Sequence, residues 1–208
     1  MNAMAEGGSR ERMIEAAISL LRASGLSGAG INEIVRESGS PKGSVYHFFP
    51  AGKTQLVAES LGVYAGRVAN FIERGLAAGA APGDRVRALF AAFAQRVEAG
   101  DFLSSCAVGA VSLDLDAGLE GLRAVLAEAF VAWSGAIARH FPELPPARRT
   151  AFAGFVLTAI EGAYVRCRAE RSSRPFAEAG EWLAELADAV CAQAGSGSGM
   201  SGARPVAT

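Results

Sequence analysis

Apolar residues recur along this chain at intervals of three and four, which is the spacing of a helix that buries one face. The first such stretch runs from Arg10 to a stop at Gly25 and carries Met13, Ala16, Ala17, Leu20 and Leu21. The same spacing predicts later helices over residues 53–76, 83–99, 105–115, 118–140, 146–171 and 175–194. No stretch alternates apolar and polar residues as a strand does. The pattern therefore predicts an all-α fold.

Two short helices are predicted between the first helix and the long ones. The first of the two buries Ile31, Ile34 and Val35. It ends at Gly39. The second is predicted to start with Ser40 as its N-cap and Pro41 at its first helical position. Its inward residues are Val45, Phe48 and Phe49. Two short helices that meet in this way have the outline of a helix-turn-helix, whose second helix enters the DNA major groove.

The outer face of the second short helix carries residue types that suit contact with DNA. Small residues at its start let the backbone approach base edges, and Lys42 can donate to guanine or to phosphate. Tyr46 and His47 can donate to phosphate oxygens. Lys53 begins the next helix, where its charge adds to the positive end of the helix dipole to make an anion site. The predicted DNA contacts are Ser40, Pro41, Lys42, Gly43, Ser44, Tyr46, His47 and Lys53.

Composition changes this picture only slightly. The net charge is −1, so the distribution of charge carries more information than its sum. The chain holds 18 arginines but only two lysines, Lys42 and Lys53, and both lie in the segment just described. No run of 18 apolar residues is free of charge or glycine, and no apolar block stands at the N-terminus, which predicts a cytoplasmic protein without a membrane span.

Catalytic and metal chemistry find little support in the sequence. The two histidines belong to no Ser/His/Asp, Cys/His or metal-spaced arrangement, so no cofactor or metal is predicted. The string Gly52-Lys53-Thr54 is not a P-loop, because His47 stands where that motif needs glycine. The cysteines are Cys106, Cys167 and Cys191. Their wide spacing indicates reduced, buried thiols, and a redox-sensing role stays open.

The segment from Gly30-Ile31-Asn32-Glu33-Ile34-Val35 through Ser40-Pro41-Lys42-Gly43-Ser44-Val45-Tyr46-His47-Phe48-Phe49 to Lys53 and Leu56-Val57 resembles the TetR family of bacterial repressors. The match covers about residues 10–61. Within it, the sequence SPKGSVYHFFPAGKTQLV further resembles the lincomycin-resistance-repressor subgroup of the family. The segment Cys106-Ala107-Val108-Gly109-Ala110 also resembles that subgroup, although a proline is usual where Ala107 stands.

The resemblance implies nine or ten helices, a homodimer joined by the last two long helices, and a C-terminal pocket whose small-molecule effector releases operator DNA. It implies a DNA-binding head over residues 10–50 and an effector and dimerisation domain over 51–194. The flanks, 1–9 and 195–208, are expected to be disordered. One departure is Gly30-Ile31, where the family often has a hydroxyl residue that contacts phosphate. Ser27 or Asn32 are the alternatives for that contact.

The effector is expected to be small and apolar or aromatic, because aromatic side chains are available to wall a pocket. The predicted pocket residues are Phe102, Trp133, Phe155 and Tyr164. The sequence thus predicts a dimeric repressor that binds a pseudo-palindromic double-stranded operator. A helical ligand-binding protein with a vestigial head is the alternative, and an enzyme ranks third.

Overall fold

The computed structural model describes residues 3–116 and 119–197. Within these ranges the chain forms nine α-helices and no strand, as the apolar spacing predicted. They are α1 Ala3–Gly28, α2 Ile31–Ser38, α3 Lys42–Phe48, α4 Lys53–Ala77, α5 Pro82–Ala99, α6 Ala107–Leu113, α7 Glu120–Arg139, α8 Pro146–Glu170 and α9 Arg174–Gly197.

The first three helices form a small head. The inward stripe of α1, which includes Met13, Ala17 and Leu21, packs against α2 and α3. Ile34 of α2, Val45 of α3 and the following Phe49 have no exposed surface. Phe49 and the half-buried Phe48 therefore belong to the core of the head, as predicted, and the outward face of α3 is left to solvent.

The long helix α4 ties the head to the rest of the molecule. Leu56, Val57 and Leu61 at its start are fully buried, and Ile72 and Leu76 at its end are buried too. One helix thus contributes to both cores, so a displacement of α4 must move the head.

The remaining helices form the C-terminal domain around α4. α5 packs along α9, and α7 packs between α4 and α8. The core holds a cluster of rings in which Phe93 and Phe176 stack with centroids 5.6 Å apart and Tyr164 meets both rings edge-on. The indole N–H of Trp133 donates to the carbonyl of Ala65 at 2.9 Å, which satisfies a buried donor.

One described helix, Glu120–Arg139, is long and apolar enough to cross a membrane. Its inward residues Leu122, Leu126 and Trp133 are buried against neighbouring helices. A core helix of a globular domain passes the same test of length and composition, so this is weak evidence for a membrane span.

Two helix ends differ from the sequence-based boundaries. α1 begins at Ala3, where a disordered N-terminus was predicted, since extending an existing helix costs far less than starting one. α9 continues to Gly197, beyond the predicted end at 194, and the hydroxyl of Ser196 bonds the carbonyl of Ala192 at 2.9 Å. Residues 198–208 of the predicted tail, and Gly118 at the predicted start of α7, lie outside the described residues.

Candidate DNA-binding surface and effector cavity

The turn between α2 and α3 is determined by the glycine that ends α2 and the proline that precedes α3. Gly39 lies in the left-handed region at φ 61°, ψ 23°, which ends α2 without steric cost. Pro41 then occupies the N-cap position of α3, and its carbonyl accepts from the backbone N–H of Ser44 at 3.0 Å. The prediction that Ser40 is the N-cap is therefore wrong by one residue. The cause is local: the extended backbone needed at an N-cap is available to Pro41, so the helix starts one residue later.

The predicted contact residues divide by exposure. Pro41, Lys42, Gly43, Tyr46 and His47 are exposed, and Ser44 is partly so, which leaves one continuous face of α3 open. Ser40 is the exception. It is 4% exposed and its hydroxyl lacks a hydrogen-bond partner among the described residues, so its side chain faces the head core and not the outer face.

Lys53 has a structural contact that the sequence did not predict. Its ammonium donates to the carbonyl of Leu26 at 2.9 Å, closing the end of α1 against the start of α4. An ammonium has three donors, so two stay available for an anion. Gly52 before it has φ 69° and ψ −142°, a conformation nearly confined to glycine. This turn places Lys53 beside the first N–H groups of α4.

A cavity of about 650 Å³ lies between α1, α6, α7 and α8. That volume suits a drug-sized organic molecule. Its wall is mainly apolar and is formed by Ser24, Gly25, Ser105, Cys106, Gly109, Ala110, Leu113, Asp114, Phe130, Thr158, Glu161, Gly162, Tyr164, Val165 and Arg168.

The four predicted pocket residues do not all reach this cavity. Tyr164 lines it, while Trp133 lines a neighbouring space of about 10 Å³ that Tyr164 also borders. Phe155 lies outside this cavity, on the outer face of α8, where it is 54% exposed and lines a different, open groove. Phe102 also lies outside the wall of this cavity: it follows α5 in a left-handed turn at φ 59° and packs against the core.

Sequence reasoning missed the ionisable groups of the cavity. Glu161 lies on the buried side of α8, and burial raises the pKa of its carboxyl while a hydrogen bond with Cys106 lowers it. The available signal was spacing, because Leu157 and Tyr164 flank Glu161 at helical intervals on a buried stripe. A charge on such a stripe is unusual.

The three cysteines are buried, as predicted, and burial raises the pKa of each thiol. For Cys106, the neighbouring carboxyl of Glu161 raises it further. These thiols are therefore protonated at neutral pH, whereas redox sensing by direct oxidation requires an accessible thiolate. The described residues contain no His/Cys/Asp/Glu group that can hold a metal ion.

Three contacts join the cavity wall to the end of α1. The carboxylate of Asp114, at the end of α6, accepts from the backbone N–H of Leu26 at 2.7 Å. The backbone N–H of Ser105 donates to the carbonyl of Arg22 at 2.9 Å. Arg168 of α8 donates to the carbonyl of Ala23 at 2.7 Å. These contacts hold the segment where α1 is interrupted, since Gly25 has the non-helical angles φ 65° and ψ −163°. The next residue, Leu26, is the one whose carbonyl accepts from Lys53.

A second outward surface lies on the last two helices. Phe155 of α8 and Trp182 and Leu186 of α9 are exposed, at 54%, 75% and 38%. Between the two helices, Phe155, Ala159, Ala179 and Trp182 line an open apolar groove. We call the surface formed by Phe155, Ala159, Ala179, Trp182 and Leu186 the α8/α9 face.

A three-helix head whose third helix, α3, leaves one face exposed, joined to a helical domain with an apolar cavity, is the architecture of a helix-turn-helix transcription regulator. Comparison with known proteins agrees. Residues 13–60 match the profile of bacterial regulatory proteins of the tetR family, and residues 82–182 match the C-terminal domain of LmrA/YxaF-like transcriptional regulators. The chain belongs to the TetR family, in its LmrA/YxaF-like branch, as its motifs indicated, and this is a family of transcriptional regulators and not of enzymes.

The chain is 32% identical to the HTH-type transcriptional regulator Rv0196 of Mycobacterium tuberculosis, over 81% of this chain and 89% of that one. It is 30% identical to the HTH-type transcriptional regulator LmrA of Bacillus subtilis, over 63% and 70% of the two chains. Among solved structures, a TetR regulatory protein from Rhodobacter sphaeroides superposes with a TM-score of 0.77 at 23% identity, covering 85% of this chain and 97% of the other.

Proposed function

We propose that this protein is a dimeric cytoplasmic repressor that binds a pseudo-palindromic operator through α3 and releases it when a small organic effector fills the cavity. The open face of α3 is the observation that carries the proposal. It presents a backbone without bulky side chains at the helix start, next to Lys42, and has Tyr46 and His47 at its far end. Such a helix suits a major groove, with base contacts at its start and backbone contacts at its end.

The α8/α9 face supports the dimer. It exposes large aromatic side chains in a contiguous patch, and such patches mark association sites. Two-fold pairing of one face with itself presents two heads to two half-sites about one DNA turn apart. The dimer must have two arrangements of its heads, one that fits the operator and one that does not. The effector releases DNA only if it binds more tightly to the arrangement that does not fit the operator.

Footprinting on the DNA that flanks the gene of this protein tests the proposal directly. We expect protection of a palindrome, and loss of that protection with a cavity ligand found by thermal-shift screening. A protein that binds ligands in the cavity but protects no specific DNA at moderate salt is instead a helical binding protein with a vestigial head.

We expect Lys42→Ala to relax base preference at one position in each half-site. Lys42 is exposed at the start of α3 and makes no ion pair among the described residues, so its ammonium is available to a guanine edge. Loss of one good base contact costs about 1–3 kcal/mol at that position. Binding to a panel of singly substituted operators measures this, with Lys42→Arg as the control that keeps guanine recognition. Equal weakening on every operator contradicts base reading and makes Lys42 a phosphate contact.

We expect Lys53→Gln to weaken binding to all operators alike. Glutamine can keep a hydrogen bond to the carbonyl of Leu26 but removes the charge, so the contact to phosphate is lost while the turn is kept. The slope of log K against log salt should shrink by about 0.9 for each protomer, as for one released counterion. Titration of operator DNA at several salt concentrations gives this slope. An unchanged slope makes Lys53 a structural residue alone.

A further inference from the structure

The cavity wall contains a carboxyl group, that of Glu161, that forms no salt bridge within residues 3–116 and 119–197. Glu161 makes no ion pair among the described residues, although eleven arginine–carboxylate ion pairs are formed elsewhere. Its contact within the protein is the thiol of Cys106, a weak donor. Glu161 is partly buried, and a carboxylate that loses part of its hydration without a charged partner destabilises the fold.

The remaining wall does not relieve this cost. The same wall contains the apolar or small residues Gly109, Ala110, Phe130 and Val165, and of these Gly109 lies against the carboxyl of Glu161. Among the described residues of the wall, the one cation is Arg168, whose exposed side chain donates to the carbonyl of Ala23; the wall also carries the acidic Asp114. Both of these side chains are held by backbone groups of α1, Asp114 by the N–H of Leu26 and Arg168 by the carbonyl of Ala23, so the carboxyl of Glu161 is the charged group of the wall that stays available to a ligand.

Gly109 fixes the place of this carboxyl. A Cβ at position 109 would lie 2.3 Å from a carboxylate oxygen of Glu161, so the absence of a side chain there is what lets the carboxyl sit against α6. The carboxyl is the far end of a flexible side chain and can move aside. A methyl group at 109 should therefore displace Glu161 without a large loss of stability.

We propose that the effector is an amine with an aromatic or otherwise apolar body, whose protonated nitrogen binds the carboxylate of Glu161. This inference rests on the proposed function, because it names the class of ligand for the same cavity. An ammonium supplies the missing charge and three donors, and a charge-assisted hydrogen bond out of water is about twice as strong as a neutral one. An anionic ligand places a second negative charge beside the first.

Three probes that share one aromatic body test the inference: 1-naphthylmethylamine, 1-naphthylmethanol and 1-naphthoic acid. Isothermal titration calorimetry at neutral pH, without DNA, compares their affinities for the whole protein. We expect the amine to bind about tenfold or more tightly than the alcohol, the difference of one charge-assisted bond, and the acid to bind most weakly.

Two variants separate the role of Glu161 from general packing. Glu161→Gln should reduce the amine to the affinity of the alcohol while leaving the alcohol unchanged, and Gly109→Ala should reduce the preference by displacing the carboxyl. Glu128→Gln makes the same chemical change on the exposed side of α7 and should keep the preference for amine. Thermal unfolding confirms that each variant is folded, and Glu161→Gln should unfold no more easily than the parent, since it removes a partly buried charge that has no charged partner among the described residues.

Equal binding of the amine and the alcohol, or a preference for the amine that survives Glu161→Gln, overturns the inference. Because these titrations contain no DNA, their outcome is independent of operator binding. If the protein prefers the amine but protects no operator DNA, the repressor proposal is rejected and the ligand class is kept. If it protects an operator but does not prefer the amine, only the assignment of the ligand class is rejected.

Discussion

The double variant Phe155→Asp/Trp182→Asp is expected to be a folded monomer that no longer binds a palindromic operator specifically. Both side chains lie on the α8/α9 face, 54% and 75% exposed in the protomer, so aspartate at these positions does not disturb the protomer core. In a two-fold dimer each substitution appears twice, and four carboxylates in an apolar contact must lose their water. The cost falls on association and not on folding.

The effect on DNA binding should be large. A dimer binds its second half-site as an intramolecular event, which strengthens binding by about 10²–10⁴ over a single head. Light scattering gives the mass in solution, and fluorescence anisotropy gives the operator affinity. Circular dichroism should show unchanged helix content.

Val131→Asp is the matched control for this experiment. Val131 is 72% exposed, but it lies on α7, away from the α8/α9 face. The control should remain dimeric and bind the operator normally. A double variant that is still a dimer, or a monomer with undiminished operator affinity, shows that the α8/α9 face is not the functional interface.

The DNA-binding head was largely predictable because its determinants are local. Gly39, Pro41 and Gly52 act on the backbone within one or two residues of themselves, and the apolar spacing assigns Ile34 and Val45 to the interior. The error at Ser40 has the same origin. Capping preference alone does not reveal that the helix starts after Pro41, nor that tertiary packing buries the preceding residue.

The cavity could be predicted only in part, because residue type does not say which of two apolar surfaces an aromatic ring joins. Phe152 and Phe155 stand three residues apart on α8, yet the first is buried and the second is exposed. The contact of Asp114 with Leu26 joins residues 88 positions apart. In the sequence alone, Asp114 is a carboxylate near a helix end, for which solvation is the ordinary interpretation.

That contact leads to the second large effect: Asp114→Ala should bind operator DNA and cavity ligands yet lose the communication between them. Asp114 is both part of the cavity wall and the acceptor for the backbone N–H of Leu26. The carbonyl of the same residue accepts from Lys53, which we propose as a phosphate contact. A ligand that displaces the end of α6 should therefore also displace the turn at Gly25 and Leu26, and with it the position of Lys53 beside the DNA-binding head.

The expected change is a coupling free energy. Ligand-controlled regulators typically couple their sites by about 1–3 kcal/mol, or 5–150-fold in affinity. In Asp114→Ala the operator affinities measured with and without a saturating cavity ligand should become nearly equal. Coupling is reciprocal, so the ligand affinity should likewise stop depending on operator DNA. The coupling free energy can therefore be measured in two independent ways: from operator affinity with and without ligand, and from ligand affinity with and without operator DNA.

Asp114→Asn provides the control, because an amide oxygen can still accept from Leu26 while the charge is lost. It should keep most of the coupling if the hydrogen bond carries it. Loss in both variants assigns the effect to the charge of Asp114. Full coupling in Asp114→Ala excludes this route and leaves the contact of Arg168 with Ala23, together with α4, to carry the signal. Because α4 contributes to both cores, that alternative predicts a rigid displacement of the whole helix, whereas the route through Asp114 requires only that the turn at Gly25 changes.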